Sequence, residues 1–319
     1  MKPRIYFVLL SVMLLALVLL ACSLVPQSLL PFDALNQSIF WQLRLPRVAT
    51  AVLAGAMMAL AGVLVQALFR NPLAEPSLLG VSSGGALGAS ICLFLFPAQL
   101  FFLPAFAALG ALAVVALLLL LARRVLHNGP QHLLLTGIAL NFSVTAMVGV
   151  LTFLAPDNVM RSISFWTLGS MAGTAYWQVL LMFMALCLAL LLVAGGWRQL
   201  DVWMLGETVA RQSGVNTRHL LYRVVLALCL CVGLVVAFCG VIGFVGLLVP
   251  HAVRLMMGMS HRVVLWGSLL LGACFMLLAD MASQLLLSGV ELPIGLVLAM
   301  LGGPLFILLL LRVQTHGWR

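Results

Sequence analysis

The chain has 319 residues, of which 65% are hydrophobic and 7% charged, and its formal net charge is +9. A soluble domain carries about a quarter charged residues, so this composition excludes a water-exposed globular surface and points to a polytopic membrane protein. The positive charge does not indicate nucleic acid, because the basic residues are scattered at the ends of apolar runs and form no basic face.

The apolar runs are continuous rather than alternating, which excludes a β-barrel and predicts an all-α fold. Ten spans are expected, at about 5–25, 47–67, 78–96, 104–122, 132–154, 175–195, 221–240, 242–258, 263–281 and 294–312. The first run begins after Lys2 and Arg4 and ends near Cys22, a pattern resembling a lipoprotein signal. Its length and the spans that follow favour a first transmembrane helix. Between the second and third spans the greasy sequence stops at "RNPLAEPSLLGVSSGGALG", residues 70–88. The prolines, Arg70 and Glu75 predict a turn at the aqueous interface. Gly84 and Gly88 then stand at the GxxxG spacing that lets helix backbones approach closely in lipid. No Gly-Lys-Ser/Thr follows, so this is not a phosphate-cradling loop.

The eighth run is the shortest and contains Pro250. With the N-terminus inside, Arg44, Arg47 and Arg161 fall outside and the remaining Lys and Arg residues inside, a strong positive-inside bias. Both termini are therefore expected in the cytoplasm. The seven cysteines (22, 92, 187, 229, 231, 239 and 274) lie in or at the ends of apolar runs and read as small buried hydrophobes.

No nucleotide-binding, metalloprotease or serine-hydrolase motif occurs, so the chain is expected to have no catalytic residue. The seven acids fall in loops or near span ends. This layout disfavours an ion-coupled carrier, which usually needs ionisable groups within the membrane. The pathway thus lacks its own engine. Residues 196–223 form the longest polar segment on the inner side and hold four arginines. Within it, Met204–Val215 is expected to form short helices broken at Gly206 and Gly214, suited either to a plain loop or to a coupling element for a cytoplasmic ATPase.

Several stretches carry a family likeness: "LRLPR" (43–47), "VQALFRNPLAEPSLLGVSSGGALGA" (65–89), "LGETVARQSGV" (205–215), "GVIGFVGLLVPHAVRL" (240–255), "HRVVL" (261–265) and "LLADMASQLLLSGVELPIGLVLAMLGGPLFILLLLR" (277–312). In this order they resemble the permeases of iron-chelate and cobalamin (type II) ABC importers, with the cobalamin branch most similar and haem or ferric-siderophore permeases as alternatives. The resemblance implies a single permease domain over residues 1–319 in the bacterial inner membrane, containing the coupling segment 196–223. It also implies a homodimer, two cytoplasmic ATPase subunits that use the ATP, a periplasmic binding protein, surrounding membrane lipid and no permanently bound cofactor.

The same resemblance implies roles for particular residues. Leu205, Gly206, Glu207, Ala210 and Gly214 would face the ATPase. Arg44 and Arg47 would dock the binding protein, or simply anchor the second span at the interface. His127, Asn128 and Gly129 match the inner gate region, or only turn the chain. Thr136, Asn141, Ser143 and Thr145 would line the path, although hydroxyl bonding to the helix backbone explains such residues equally well. Gln284 stands where the family usually has arginine. His132, His251 and Met256, Met257 and Met259 have no second ligand at helical spacing and read as structural.

Overall fold

The computed structural model describes residues 3–23, 34–125, 130–287 and 290–316, and among these it is helical with no strand. Helix α1 covers Pro3–Ser23, and α2 (Ala34–Ile39) runs through a wide π-turn, Phe40–Arg44, into α3 (Leu45–Phe69). The wide turn lies directly before Pro46, whose ring cannot donate to the carbonyl four residues back. There follow α4 (Val81–Leu95), α5 (Leu103–Val125), α6 (Pro130–Leu154), the short α7 (Asp157–Thr167) and α8 (Tyr176–Val193). Two short helices, α9 (Trp197–Met204) and α10 (Glu207–Gln212), lead into α11 (Thr217–Cys239), α12 (Val245–Met257), α13 (His261–Leu285) and α14 (Ile294–His316).

Seven described helices are long and apolar enough to cross a membrane. Helices α4 and α12, at 15 and 13 residues, are shorter than expected from their apolar runs. Both start late for a physical reason. Residues 70–75 and 240–244 are non-helical, Pro76–Leu79 make a single tight 3-10 turn, and the four turning residues Arg70, Gly80, Gly240 and Phe244 have positive φ. Two broken segments therefore meet inside the bundle.

Helix α3 is the hub, packed against α8, α11, α12 and α13 and buried almost throughout from Pro46 to Leu68. Small residues make this possible. A Cβ on Gly62 would overlap the Gly246 backbone, and one on Gly272 would lie 2.5 Å from the Gly55 carbonyl oxygen. The predicted GxxxG pair works the same way against α5: a Cβ on Gly84 would lie 2.7 Å from the Gly110 carbonyl oxygen, and one on Gly88 would overlap that of Phe106. Helix α3 ends in a Schellman-type closure, with Asn71 N–H donating to the Gln66 carbonyl (3.1 Å) and Arg70 N–H to that of Ala67 (3.2 Å).

Candidate coupling surface and charge cluster

The expected break points of the coupling segment are present. Gly206 (φ 127°) separates α9 from α10, and Gly214 (φ 79°) follows α10. Leu205 projects at the corner with 72% of its surface exposed, whereas Ala210 is fully buried. Glu207 and Arg211 form an exposed pair one helical turn apart, at 2.5 Å. The corner therefore presents an apolar knob beside a charged turn, on an inward-facing Ala210.

Its base is fastened by residues that the motif reading did not single out. Trp203 is buried and its Nε1–H donates to the Ala67 (3.1 Å) and Leu68 (3.3 Å) carbonyls in the last turn of α3. The Arg70 guanidinium stacks on that ring at 4.3 Å, a cation–π contact, so Arg70 lies folded into the coupling base rather than in solvent. Asp201 accepts the His261 backbone N–H (3.0 Å) and faces His261 Nδ1 at 2.6 Å. It thereby satisfies one of the orphan donors at the start of α13. Arg223 serves the end of α8, donating to the Leu192 (2.5 Å) and Ala194 (3.3 Å) carbonyls. The Trp203 and Asp201 contacts fix α9, at the base of the 205–207 corner, to α3 and α13.

The two broken segments are joined by Glu75 and Gln66. Glu75 is half-buried, and its carboxylate accepts the Phe244 N–H at 2.9 Å. Pro250 removes the donor that would have bonded the Gly246 carbonyl within α12. Gln66 supplies it: its side-chain amide donates to the Gly246 and Leu247 carbonyls at 3.2 Å each, and its oxygen accepts from Arg254. A 1% exposed glutamine on α3 thus repairs the proline gap in α12.

At the far end of α3, about 30 Å away at 1.5 Å per residue, Arg47 is committed to carboxylates of its own chain. Its guanidinium donates to Asp280 (3.0–3.1 Å) and to Glu291 (2.9–3.0 Å). Asp280 lies inside α13 with a 2% exposed side chain, rather than at a solvated helix end. Gln284 donates to the same carboxylate at 2.9 Å, a role an arginine there would fill as a second cation. Arg44 is half-buried nearby in sequence, on the π-turn.

The path-lining candidates lie on α6. Thr136 and Ser143 hydroxyls donate to the His132 (2.8 Å) and Ala139 (2.9 Å) carbonyls of their own helix, while Asn141 is half-buried and Thr145 exposed. The gate candidates His127, Asn128 and Gly129 lie outside the described residues. His132 is exposed and His251 buried. The sequence signals for the missed residues were weak: a lone Trp, Gln or Glu in an apolar chain is conspicuous, but its partner lies 60 to 188 residues away.

Residues 5–312 match the profile of the FecCD transport family. The hemin transport system permease HmuU of Yersinia pestis is 42% identical over 291 residues, covering 87% of this chain and 84% of that protein. The vitamin B12 import permease BtuC of Vibrio cholerae is 41% identical over 288 residues, covering 88% and 86%. A solved structure described as an inward-facing metal-chelate type ABC transporter superposes with a TM-score of 0.89 at 33% identity, covering 98% of this chain and all of that one. The family profile over residues 5–312 and these relatives, on a bundle of apolar helices, have one reading: the chain belongs to the FecCD transport family, as a multi-pass permease of an ABC importer.

Proposed function

We propose that this permease carries cobalamin from periplasm to cytoplasm by alternating access, as a homodimer working with two ATPase subunits and a periplasmic binding protein. In this reading ten helices span the inner membrane with both termini cytoplasmic. Helices α4, α12 and α14 complete the seven long ones, and α9–α10 lie at the cytoplasmic face. ATP is bound and hydrolysed by the partner, and the permease contributes no catalytic group.

The observation that carries the proposal is the corner at 205–207. Leu205 stands exposed on a base that Trp203 and Asp201 join to α3 and α13. An ATPase groove closing on Leu205 and Glu207 would therefore push on the buried hub and not on a loose loop. Gly206 and Gly214 supply left-handed backbone at the two ends of α10. Arg44 and Arg47 mark the periplasmic end, where charge pairing would orient the binding protein. Since Arg47 already holds Glu291, docking there is an exchange of carboxylates. Thr136, Asn141 and Ser143 would face the path, and residues 127–129 would form its inner gate.

Haem is the second reading, favoured by the hemin permease relative at 42% identity. The deciding experiment is uptake into proteoliposomes holding the permease, its ATPase and its binding protein. ATP-dependent accumulation of labelled cobalamin that resists excess haem and ferric siderophore is expected, with loss in Leu205→Ala. Haem uptake without cobalamin uptake would overturn the substrate and leave the importer. Accumulation driven by a proton gradient without ATP would overturn the importer mechanism itself.

A further inference from the structure

Beside the coupling base lies a groove of about 450 Å³ between the end of α8, the start of α9 and the first turns of α13. Its walls include Cys187, Leu190, Ala194, Trp197, Leu265 and Trp266, and every lining residue is apolar. Leu191 (69% exposed) and Trp266 (47%) leave it open sideways. From Cys187 to Ala194 it runs along about 10 Å of α8 at 1.5 Å per residue.

Three features narrow the occupant. An extended peptide segment in an apolar groove would leave its backbone N–H and C=O groups unpaired, at several kcal/mol each, and a helix about 10 Å across does not fit within about 450 Å³. A hydrocarbon chain has no such groups. The two tryptophans sit at the groove's polar end, next to charged residues, as amphipathic rings do at the headgroup level of a bilayer. Finally, two arginines stand beside that end: Arg198 is one turn before Asp201 on α9, whose carboxylate meets His261, and Arg262 follows His261 and lies one turn before Trp266 on α13. Both arginines are exposed, and neither is paired with a carboxylate among the described residues. Asp201, the acid of α9, is already engaged by His261.

We propose that this groove seats an acyl chain of an anionic phospholipid of the cytoplasmic leaflet, with its phosphate held between Arg198 and Arg262. Basic rims between membrane helices on the cytoplasmic side are the usual setting for acidic headgroups. The lipid would touch Trp197, the first residue of α9, while Trp203 near the other end of α9 bonds to α3. It would therefore steady the helix that carries the coupling corner. The leaflet assignment rests on the sidedness proposed above; the binding itself does not.

Native mass spectrometry of the full-length permease in detergent, titrated with phosphatidylglycerol or phosphatidylcholine, tests this without transport or sidedness. One phosphatidylglycerol per chain is expected to survive activation that strips phosphatidylcholine. The double variant Arg198→Gln/Arg262→Gln should bind it about 30-fold more weakly, since each basic residue contributes about fivefold. Leu190→Trp, which fills the groove, should lose both lipids there. The exposed arginine variants keep the fold testable by thermal unfolding in lipid-free detergent, where no shift is expected. Equal retention of the two lipids, meaning a merely annular shell, or undiminished phosphatidylglycerol binding by the double variant, would overturn the site. Failure of ATP-driven uptake would leave this result untouched.

Discussion

Helices α3 and α6 have the same length and similar apolar composition, yet 83% of the most apolar window of one is buried and 17% of the other. The difference lies in what each helix does with its few polar and small residues. On α3 they reach outward: Arg47 to α13 and the 290–293 segment, Gln66 to α12, and the last carbonyls to Trp203. On α6 they turn back, since Thr136, Ser143 and Thr152 bond the carbonyls four residues earlier in their own helix. Gly137 does press α6 against the 78–79 backbone, but beyond it Phe142, Met147 and Phe153 stand exposed. One helix is complete within the protomer. The other offers a face to lipid or, in the proposed homodimer, to a second copy and the substrate path.

The sharpest way to break this contrast is to add bulk to a glycine on each helix. Gly62→Leu places a side chain where the Gly246 backbone already sits, and backbone cannot step aside as a side chain can. A loss of more than about 3 kcal/mol is expected, seen as aggregated material in size-exclusion chromatography. Gly149→Leu on α6 meets nothing within 4 Å, so a monodisperse peak should persist. A well-folded Gly62→Leu variant would show that α3 is not the rigid hub.

Arg47 comes next. Arg47→Ala leaves the 2% exposed Asp280 carboxylate without its cation, an uncompensated buried charge that costs about 3–5 kcal/mol. Arg44→Ala has no such consequence, because no carboxylate of the described residues pairs with Arg44. Thermal unfolding of the two variants in the same detergent measures the difference. It also guards the docking assay: lost uptake in Arg47→Ala with a lowered Tm reports a damaged fold, whereas lost uptake in Arg44→Ala with an unchanged Tm reports docking. Gln66→Leu should follow at about 1–3 kcal/mol, since the Gly246 and Leu247 carbonyls lose their side-chain donor and Arg254 its acceptor.

These contacts also mark how far the sequence could be read. Hydropathy located every long helix within a few residues, because the bilayer demands long apolar runs whatever they pack against. The breaks at Gly206 and Gly214 and the close approach at Gly84 and Gly88 were legible because glycine has so few alternative uses in such places. The inward course of residues 70–80 was not. Prolines and charges beside a span read as a surface turn, and only the Glu75–Phe244 and Arg70–Trp203 contacts reveal a segment folded back into the bundle. Arg47 read as a docking or anchoring residue, and its bonds to Asp280 and Glu291 were not legible because those partners lie 233 and 244 residues away. Helices α7 and α9 were missed because they are short and amphipathic rather than apolar.

Weaker effects sharpen the comparison at the coupling base. Trp203→Phe keeps a ring under Arg70 but removes the Nε1–H that reaches the end of α3. One buried hydrogen bond contributes about 1 kcal/mol, so the unfolding midpoint should move slightly. ATP hydrolysis in the reconstituted complex should then continue with less substrate delivered per ATP, because the corner is no longer fastened to the hub. Unchanged stoichiometry would show that force reaches the bundle by another route, with Asp201–His261 the next connection to test.

The smallest structural effect is expected at Glu207. Its bond to Arg211 joins side chains that are 33% and 68% exposed, one helical turn apart, and such pairs contribute about 0.3–0.5 kcal/mol. Glu207→Gln should therefore leave the unfolding midpoint of the isolated permease almost where it was. The same substitution removes the only acid of the exposed corner, where an ATPase groove would engage α10. Binding of the ATPase subunit, followed by co-purification as salt is raised, should weaken well before stability does. A Tm loss larger than the pair can explain would instead make Glu207 part of the scaffold, and would move the coupling surface onto Leu205 alone.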